Sequence, residues 1–204
     1  MTQVDSYPLF PKDSSLERPA FAFEELLGDC TRRGVTLFDI PQTLEPEIDK
    51  IYRRVGLSED IYSSDSVKHL GPKLFSTLLN PLRALIKANH IAFGAIEQPA
   101  SKDEDILYLH TDSVIREGFT VLIPVVGPDA RLYHSDIRQQ FPGDEIDYAV
   151  YGVGKAALLR QQIKVTDESS DVKTLPARFH GGWCTDGLRK ILGIDLHVDA
   201  PLTL

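Results

Sequence analysis

Three of the six histidines in the chain stand two residues before an aspartate. These His-x-Asp triplets are His110-Thr-Asp112, His134-Ser-Asp136 and His197-Val-Asp199. Residues i and i+2 of a β-strand point to the same side, so the imidazole and the carboxylate of a triplet converge on one point. A further histidine from a distant strand completes a two-histidine, one-carboxylate metal set, which leaves the other metal positions open for a cosubstrate and dioxygen.

The distant histidine is expected from a strand near the carboxyl end. His180 is the obvious candidate, because it ends the β-prone run that starts at Pro176. The Gly181-Gly182 pair that follows predicts a turn. Nine residues after His180 (189 − 180 = 9), Arg189 opens the last β-prone run.

The elements before these motifs are mostly helical. Apolar residues at helical spacing, bounded by Gly and Pro, predict helices over 21–33, 44–55 and 72–89, with Pro81 inside the last, and alternation predicts a strand over 35–40. From His90 onward the chain is divided into short β-prone runs by Gly, Pro, Asp and Ser. The predicted strands are 91–96, 106–110, 119–123, 130–134, 148–151, 155–159, 163–165, 175–180 and 191–198.

This spacing favours a β-sandwich or barrel over βαβ units. The predicted fold class is α+β and mainly β, in a single domain over residues 1–204. Residues 1–89 form a mainly helical N-terminal part, and residues 90–204 form the β core. The helices are expected to pack on one sheet, because that sheet would otherwise expose apolar area.

The span from Ile106 to Val198 resembles the iron(II)/2-oxoglutarate-dependent dioxygenase superfamily. That superfamily has a double-stranded β-helix (jelly-roll) core and the pattern His-x-Asp, then a distal His, then an Arg about ten residues later. His110, Asp112, His180 and Arg189 match the pattern in order and in rough spacing. The apolar run that starts at Phe119 also resembles the strand that follows the family's His-x-Asp, and the run that starts at Gly152 resembles the strand before its distal His.

The resemblance implies a role for each matched residue. His110, Asp112 and His180 would bind Fe(II), and the Arg189 guanidinium would pair with the distal carboxylate of 2-oxoglutarate. Tyr108 and Tyr133 are candidates for hydrogen bonds to the cosubstrate carboxylates. The implied activity is the hydroxylation, or a related oxidation, of a small organic substrate, with 2-oxoglutarate and dioxygen as cosubstrates.

Two questions stay open at this point. The family's Arg-x-Ser is Arg189-Lys-Ile here, which leaves room for a jelly-roll metal-dependent isomerase or epimerase without 2-oxoglutarate, or for a catalytically silent binding module. His134 is the alternative to His110 as the leading ligand. His110 is preferred because the apolar run from Phe119 follows it, whereas a polar loop follows His134.

Composition limits the partners. The net charge is −8, no Lys/Arg cluster offsets it, and such a chain is a poor partner for nucleic acid or anionic membranes. No apolar run approaches the ~18 residues of a membrane span. Two cysteines allow at most one disulfide, and the N-terminus lacks a signal-peptide pattern. A cytoplasmic protein that acts on a small molecule is therefore expected, and its oligomeric state is left open.

Overall fold

The computed structural model describes residues 6–7, 22–56, 62–101, 107–111, 117–136, 140–141, 146–166 and 170–203. Its helices are α1 (Phe23–Arg33), α2 (Glu45–Val55), α3 (Ser64–Val67), α4 (Pro72–Leu74) and α5 (Asn80–Ile86), with short 3-10 turns at Gln42–Leu44 and Lys68–Leu70 and a π-helical turn at Phe75–Leu79. Its strands are β1 (Ser6–Tyr7), β2 (Val35–Asp39), β3 (Tyr62–Ser63), β4 (Ala88–Pro99), β5 (Leu107–Tyr108), β6 (Gly118–Val126), β7 (Ala130–Ser135), β8 (Gln140–Phe141), β9 (Asp147–Tyr151), β10 (Lys155–Arg160), β11 (Ile163–Thr166), β12 (Val172–Leu175), β13 (Phe179–Trp183), β14 (Leu188–Val198) and β15 (Leu202–Thr203).

Seven of these strands form a larger sheet with the order β1-β2-β10-β6-β14-β4-β3. All its pairings are antiparallel except that of β1 with β2. One hydrophobic cluster joins α1, α2 and the helical segment 72–86 to one face of this sheet, with Leu78, Val121 and Ile194 among its fully buried members. The expected packing of the N-terminal helices on one sheet is confirmed.

A smaller sheet has the order β13-β7-β9. The short β5 adjoins its β13 edge through an antiparallel bridge between His110 and His180. Leu122 and Ile191 of the larger sheet share a second hydrophobic cluster with Leu132 and Ala149 of the smaller sheet. The two sheets therefore face each other.

Most of the predicted elements are present, and two predictions need correction. The last long helix was predicted to reach Asn89, but it ends at Ile86, where Lys87 takes a left-handed conformation (φ 53°) and β4 begins. Pro81 lies in the first turn of α5, where its missing N–H is tolerated, directly after the π-helical turn. The fold is mainly β with several antiparallel sheets and a few helices, as expected for its class.

The second correction concerns the segment around the distal histidine. The predicted strand 175–180 is two strands, β12 and β13, separated at Pro176, which has no N–H for a ladder. Gly181 and Gly182 were predicted to turn the chain, yet both lie within β13. A Cβ at Gly182 would lie 2.5 Å from the Gln98 side-chain nitrogen of the larger sheet. Glycine there permits the two sheets to approach.

Among the described helices, none is both long and apolar enough to cross a membrane.

Candidate active site

The structure brings His110 and His180 side by side. They lie 70 residues apart in sequence (180 − 110 = 70) and exchange both backbone hydrogen bonds, at 2.9 and 2.8 Å. Because directly opposed residues of an antiparallel bridge point to the same side, their rings meet, with centroids 4.9 Å apart. His180 is buried, whereas His110 is exposed. One buried and one exposed imidazole thus lie together at the β13 edge of the smaller sheet.

The tautomer of His180 follows from its backbone neighbour. Its Nδ1 lies 3.3 Å from the carbonyl oxygen of Arg178. A carbonyl only accepts, so Nδ1 carries the proton and the lone pair of the neutral ring is on Nε2. Metal-binding histidines commonly show this arrangement, with one ring nitrogen held by a carbonyl and the other turned to the metal.

Both histidines line a cavity of about 510 Å³ between the two sheets. Its other polar side chains include Gln98, Thr120, Tyr151 and Asp195, and its apolar wall includes Ile96, Leu122, Leu132 and Ile191. A volume of this size lies in the range of small-molecule sites, which typically combine apolar walls with a few convergent polar groups.

Arg189 is enclosed beside this cavity. It lies on the same face of β14 as Ile191 and Gly193, which line the cavity, and it has no exposed surface. Its Nη2 donates to the Tyr151 carbonyl oxygen at 3.0 Å, and its guanidinium carbon lies 4.1 Å from the centre of the Tyr151 ring. Nε and Nη1 have no hydrogen-bond partner within the described part of the chain.

Tyr151 was not among the residues selected from the sequence. It is fully enclosed, and burial raises the pKa of its hydroxyl, although the Arg189 cation opposes that shift. It therefore presents a neutral ring to the guanidinium. No sequence signal distinguishes this tyrosine from the other strand tyrosines, because its contact with Arg189 depends on how the two sheets face each other.

A second polar feature also escaped the sequence reasoning. Gln161 donates to the Thr120 hydroxyl at 3.1 Å, and that hydroxyl donates to the Asp195 carboxylate at 3.0 Å. Thr120 and Asp195 line the cavity. A signal was present in the sequence, since Asp195 is a carboxylate inside an otherwise apolar strand, Ile191 to Leu196.

His134 lies next to His180 on the other side from His110. The two are directly paired across β7 and β13, so His134 also points toward the larger sheet, but it does not line the cavity. Arg178 donates to its Nδ1 from Nη2 at 3.1 Å and from Nε at 3.4 Å. Burial, and then the Arg178 cation, lower the pKa of His134 to about 4.

The remaining predicted residues are placed as follows. Asp112 falls outside the described residues, and only the backbone of Tyr108 is described, in β5. Tyr133 does not line the cavity. Its side chain is buried with Leu109, Ile146 and Trp183 on the opposite face of the smaller sheet. That position separates Tyr133 from Arg189 and from the two histidines.

Within the described part of the chain, no group of three or more His, Cys, Asp or Glu side chains could hold a metal ion. His110 and His180 supply two imidazoles. The predicted third ligand, Asp112, is outside the described residues. Two imidazoles at a cavity wall, one of them protonated on Nδ1 so that its lone pair is on Nε2, fit the histidine half of a facial triad. The unpartnered Nη1 of Arg189 fits a carboxylate oxygen, because a buried guanidinium nitrogen without an acceptor is costly.

Comparison with known proteins shows a shared fold. No protein-family model matches the chain, and no curated protein matches its sequence. A prolyl-4-hydroxylase from Pseudomonas putida is 12% identical, with a TM-score of 0.50 over 87% of this chain and 95% of that one. An oxidoreductase of the 2OG-Fe(II) oxygenase family from Burkholderia pseudomallei is 10% identical, with a TM-score of 0.52 over 96% and 94% of the two chains. These likenesses fit a jelly-roll, and at this identity they concern the fold alone.

Proposed function

We propose that the protein is an Fe(II)- and 2-oxoglutarate-dependent oxygenase, with His110, Asp112 and His180 as metal ligands. The observation that carries the proposal is the reciprocal backbone pairing of His110 and His180 at the cavity wall. These two residues were chosen from a sequence pattern, and their pairing across 70 positions of the chain supports the proposal. The fold shared with two solved structures supports the proposal further.

Each residue has a defined task in this proposal. His180 binds through Nε2, since the Arg178 carbonyl fixes its other nitrogen. His110, on the exposed side, completes the imidazole pair, and Asp112, two residues further along, adds the carboxylate. With Fe(II), 2-oxoglutarate and dioxygen bound, the site would supply oxidative decarboxylation of 2-oxoglutarate coupled to hydroxylation, or a related oxidation, of a small organic substrate.

Arg189 anchors the cosubstrate in this proposal. Its unpartnered Nη1 would donate to the distal carboxylate, whose charge would offset that of the buried guanidinium. Because Arg189 has no exposed surface, a carboxylate reaches Nη1 only when a covering side chain moves. The Tyr151 ring, which lines the cavity and lies on the guanidinium, is the side chain placed to do so.

The test is an anaerobic titration of the Fe(II)-loaded protein with 2-oxoglutarate. A visible metal-to-ligand charge-transfer band is expected, and it should be lost in Asp112→Ala and His180→Ala. His69→Ala is the control, because His69 lies on the helical side of the chain, in the 3-10 turn Lys68–Leu70. Metal binding without the band would contradict the use of 2-oxoglutarate and favour an isomerase or epimerase. Absence of metal binding would favour a silent binding module.

A further inference from the structure

The second His-x-Asp triplet, His134-Ser-Asp136, is not used by the proposed metal site. In the structure both of its side chains contact one residue, Arg178. The guanidinium donates to Nδ1 of His134 from two nitrogens and pairs through Nη1 with the Asp136 carboxylate. The Arg178 side chain is 10% exposed and that of Asp136 is 74% exposed. The guanidinium is thus held between a buried imidazole and an exposed carboxylate.

The protonation of His134 follows from this contact. A guanidinium has only donors, so Nδ1 of His134 accepts and the proton of the neutral ring is on Nε2. The only lone pair of the ring is therefore already occupied by Arg178. A divalent cation at this triplet would also meet the charge of the guanidinium. The second triplet therefore binds the guanidinium of Arg178 rather than a metal ion.

Arg178 connects this anchor to the proposed metal ligand. Its carbonyl oxygen accepts from Nδ1 of His180, and its own N–H donates to the Arg160 carbonyl at 3.0 Å. Its aliphatic stem packs against Gly34, where a Cβ would lie 2.6 Å from the Arg178 Cδ. Arg178, whose carbonyl orients His180, is thus fixed by a hydrogen bond at its backbone amide and by His134 and Asp136 at its guanidinium.

We propose that Arg178 is a positioning residue for His180, and that His134 is its buried anchor rather than a metal ligand. The inference rests on the proposed function, because it requires His180 to bind metal. Loss of a group that orients a metal-binding histidine typically weakens metal affinity by about 10–100-fold. The same range is expected when either Arg178 or its acceptor on His134 is removed.

The probe is Co(II), added under anaerobic conditions, with the dissociation constant and the visible d–d spectrum as readouts. Arg178→Met keeps most of the stem and removes all donors. His134→Leu removes the acceptor for Arg178. His134→Asn places an amide oxygen close to the position of Nδ1 and is the conservative rescue. Arg131→Met is the control, because Arg131 lies on the same sheet but points to the opposite face, against Tyr148.

Arg178→Met and His134→Leu are expected to weaken Co(II) binding about 10–100-fold and to change the d–d spectrum. His134→Asn is expected to restore both to near the unaltered protein, and Arg131→Met to leave both unchanged. Urea unfolding of each metal-free variant separates these effects from loss of the fold. If Arg178→Met does not fold, the pair His134→Leu and His134→Asn decides the question.

Three outcomes would overturn the inference. If His134→Leu binds Co(II) as tightly as the unaltered protein, with the same spectrum, Arg178 does not position His180. If His134→Asn loses metal as completely as His134→Leu, His134 is itself a ligand. His180→Ala distinguishes a failure of the metal site: if that variant keeps its affinity, the proposed site is wrong and the inference is overturned with it.

Discussion

Stability of the metal-free protein should depend on pH through His134. The perturbation is His134→Asn, which keeps an acceptor for Arg178 and removes a titrating ring. The folded pKa of His134 is about 4, against 6.5 for an ordinary histidine. The unfolded chain therefore binds one more proton than the native protein between these values, and stability falls as pH is lowered through this window. Above pH 6.5 both states are neutral at this position, so the effect vanishes there.

The size of the effect follows from the two pKa values. One pKa unit corresponds to about 1.4 kcal/mol, so the free energy of unfolding should fall by about 2 kcal/mol at pH 5 and about 3 kcal/mol at pH 4, relative to pH 7. The loss is read as the difference between the unaltered protein and His134→Asn, because the other titrating groups cancel. Asp136 interferes little: the Arg178 hydrogen bond lowers its pKa from 3.8, so its stabilisation is lost as pH falls from about 3.8 through that lowered value, mostly below the range of this comparison.

The assay is urea unfolding in the presence of a chelator, at intervals of half a pH unit from 4 to 7.5. The fluorescence of the single tryptophan, Trp183, reports the transition. His197→Asn is a matched control, since burial also lowers the pKa of the less enclosed His197. This substitution should remove a smaller part of the change in unfolding free energy with pH than His134→Asn does. Parallel stability curves for the unaltered protein and His134→Asn would refute both the enclosure of His134 and its neutral state.

Three further predictions concern the cavity and the sheets. Arg189→Met should raise the dissociation constant for 2-oxoglutarate by tens-fold or more, a loss of about 2–4 kcal/mol of binding free energy. The constant is measured by anaerobic titration, with Arg131→Met as the control. If Arg189→Met has the same constant as the unaltered protein, Arg189 is not the anchor. His110→Ala should lose bound Fe(II), measured as metal content after desalting, because two remaining ligands hold a labile divalent ion poorly; retention would instead favour His134 as the leading ligand. Gly118→Ala should lower the free energy of unfolding, measured in urea, by about 2–5 kcal/mol, because the φ of Gly118 is +147° and a Cβ would collide with the Leu196 carbonyl. Gly94→Ala is the control, since a Cβ there meets nothing within 4 Å. Its free energy of unfolding should lie within about 1 kcal/mol of that of the unaltered protein.

Much of the fold was predictable because many core strands are short apolar runs with their own boundaries. The run from Phe119 is bounded by Gly118 and Gly127, and the strand found there is Gly118–Val126. The error at Gly181-Gly182 has a physical cause. Glycine pairs usually mark turns, but Gly182 instead leaves space for the Gln98 side chain of the facing sheet. A local sequence pattern does not show which side chains of the facing sheet will pack against it.

In the candidate site, too, a sequence motif predicts some residues, whereas other contacts depend on the register of paired strands. His110 and His180 could be chosen because a motif orders them along the chain, and no knowledge of strand pairing was needed. The contact between His134 and Arg178 depends on the register of β7 against β13, 44 residues apart, which no local pattern specifies. Tyr133 is different, because adjacent strand residues point to opposite faces. If His134 faces the larger sheet, Tyr133 must face away, so the two could not both have belonged to one pocket.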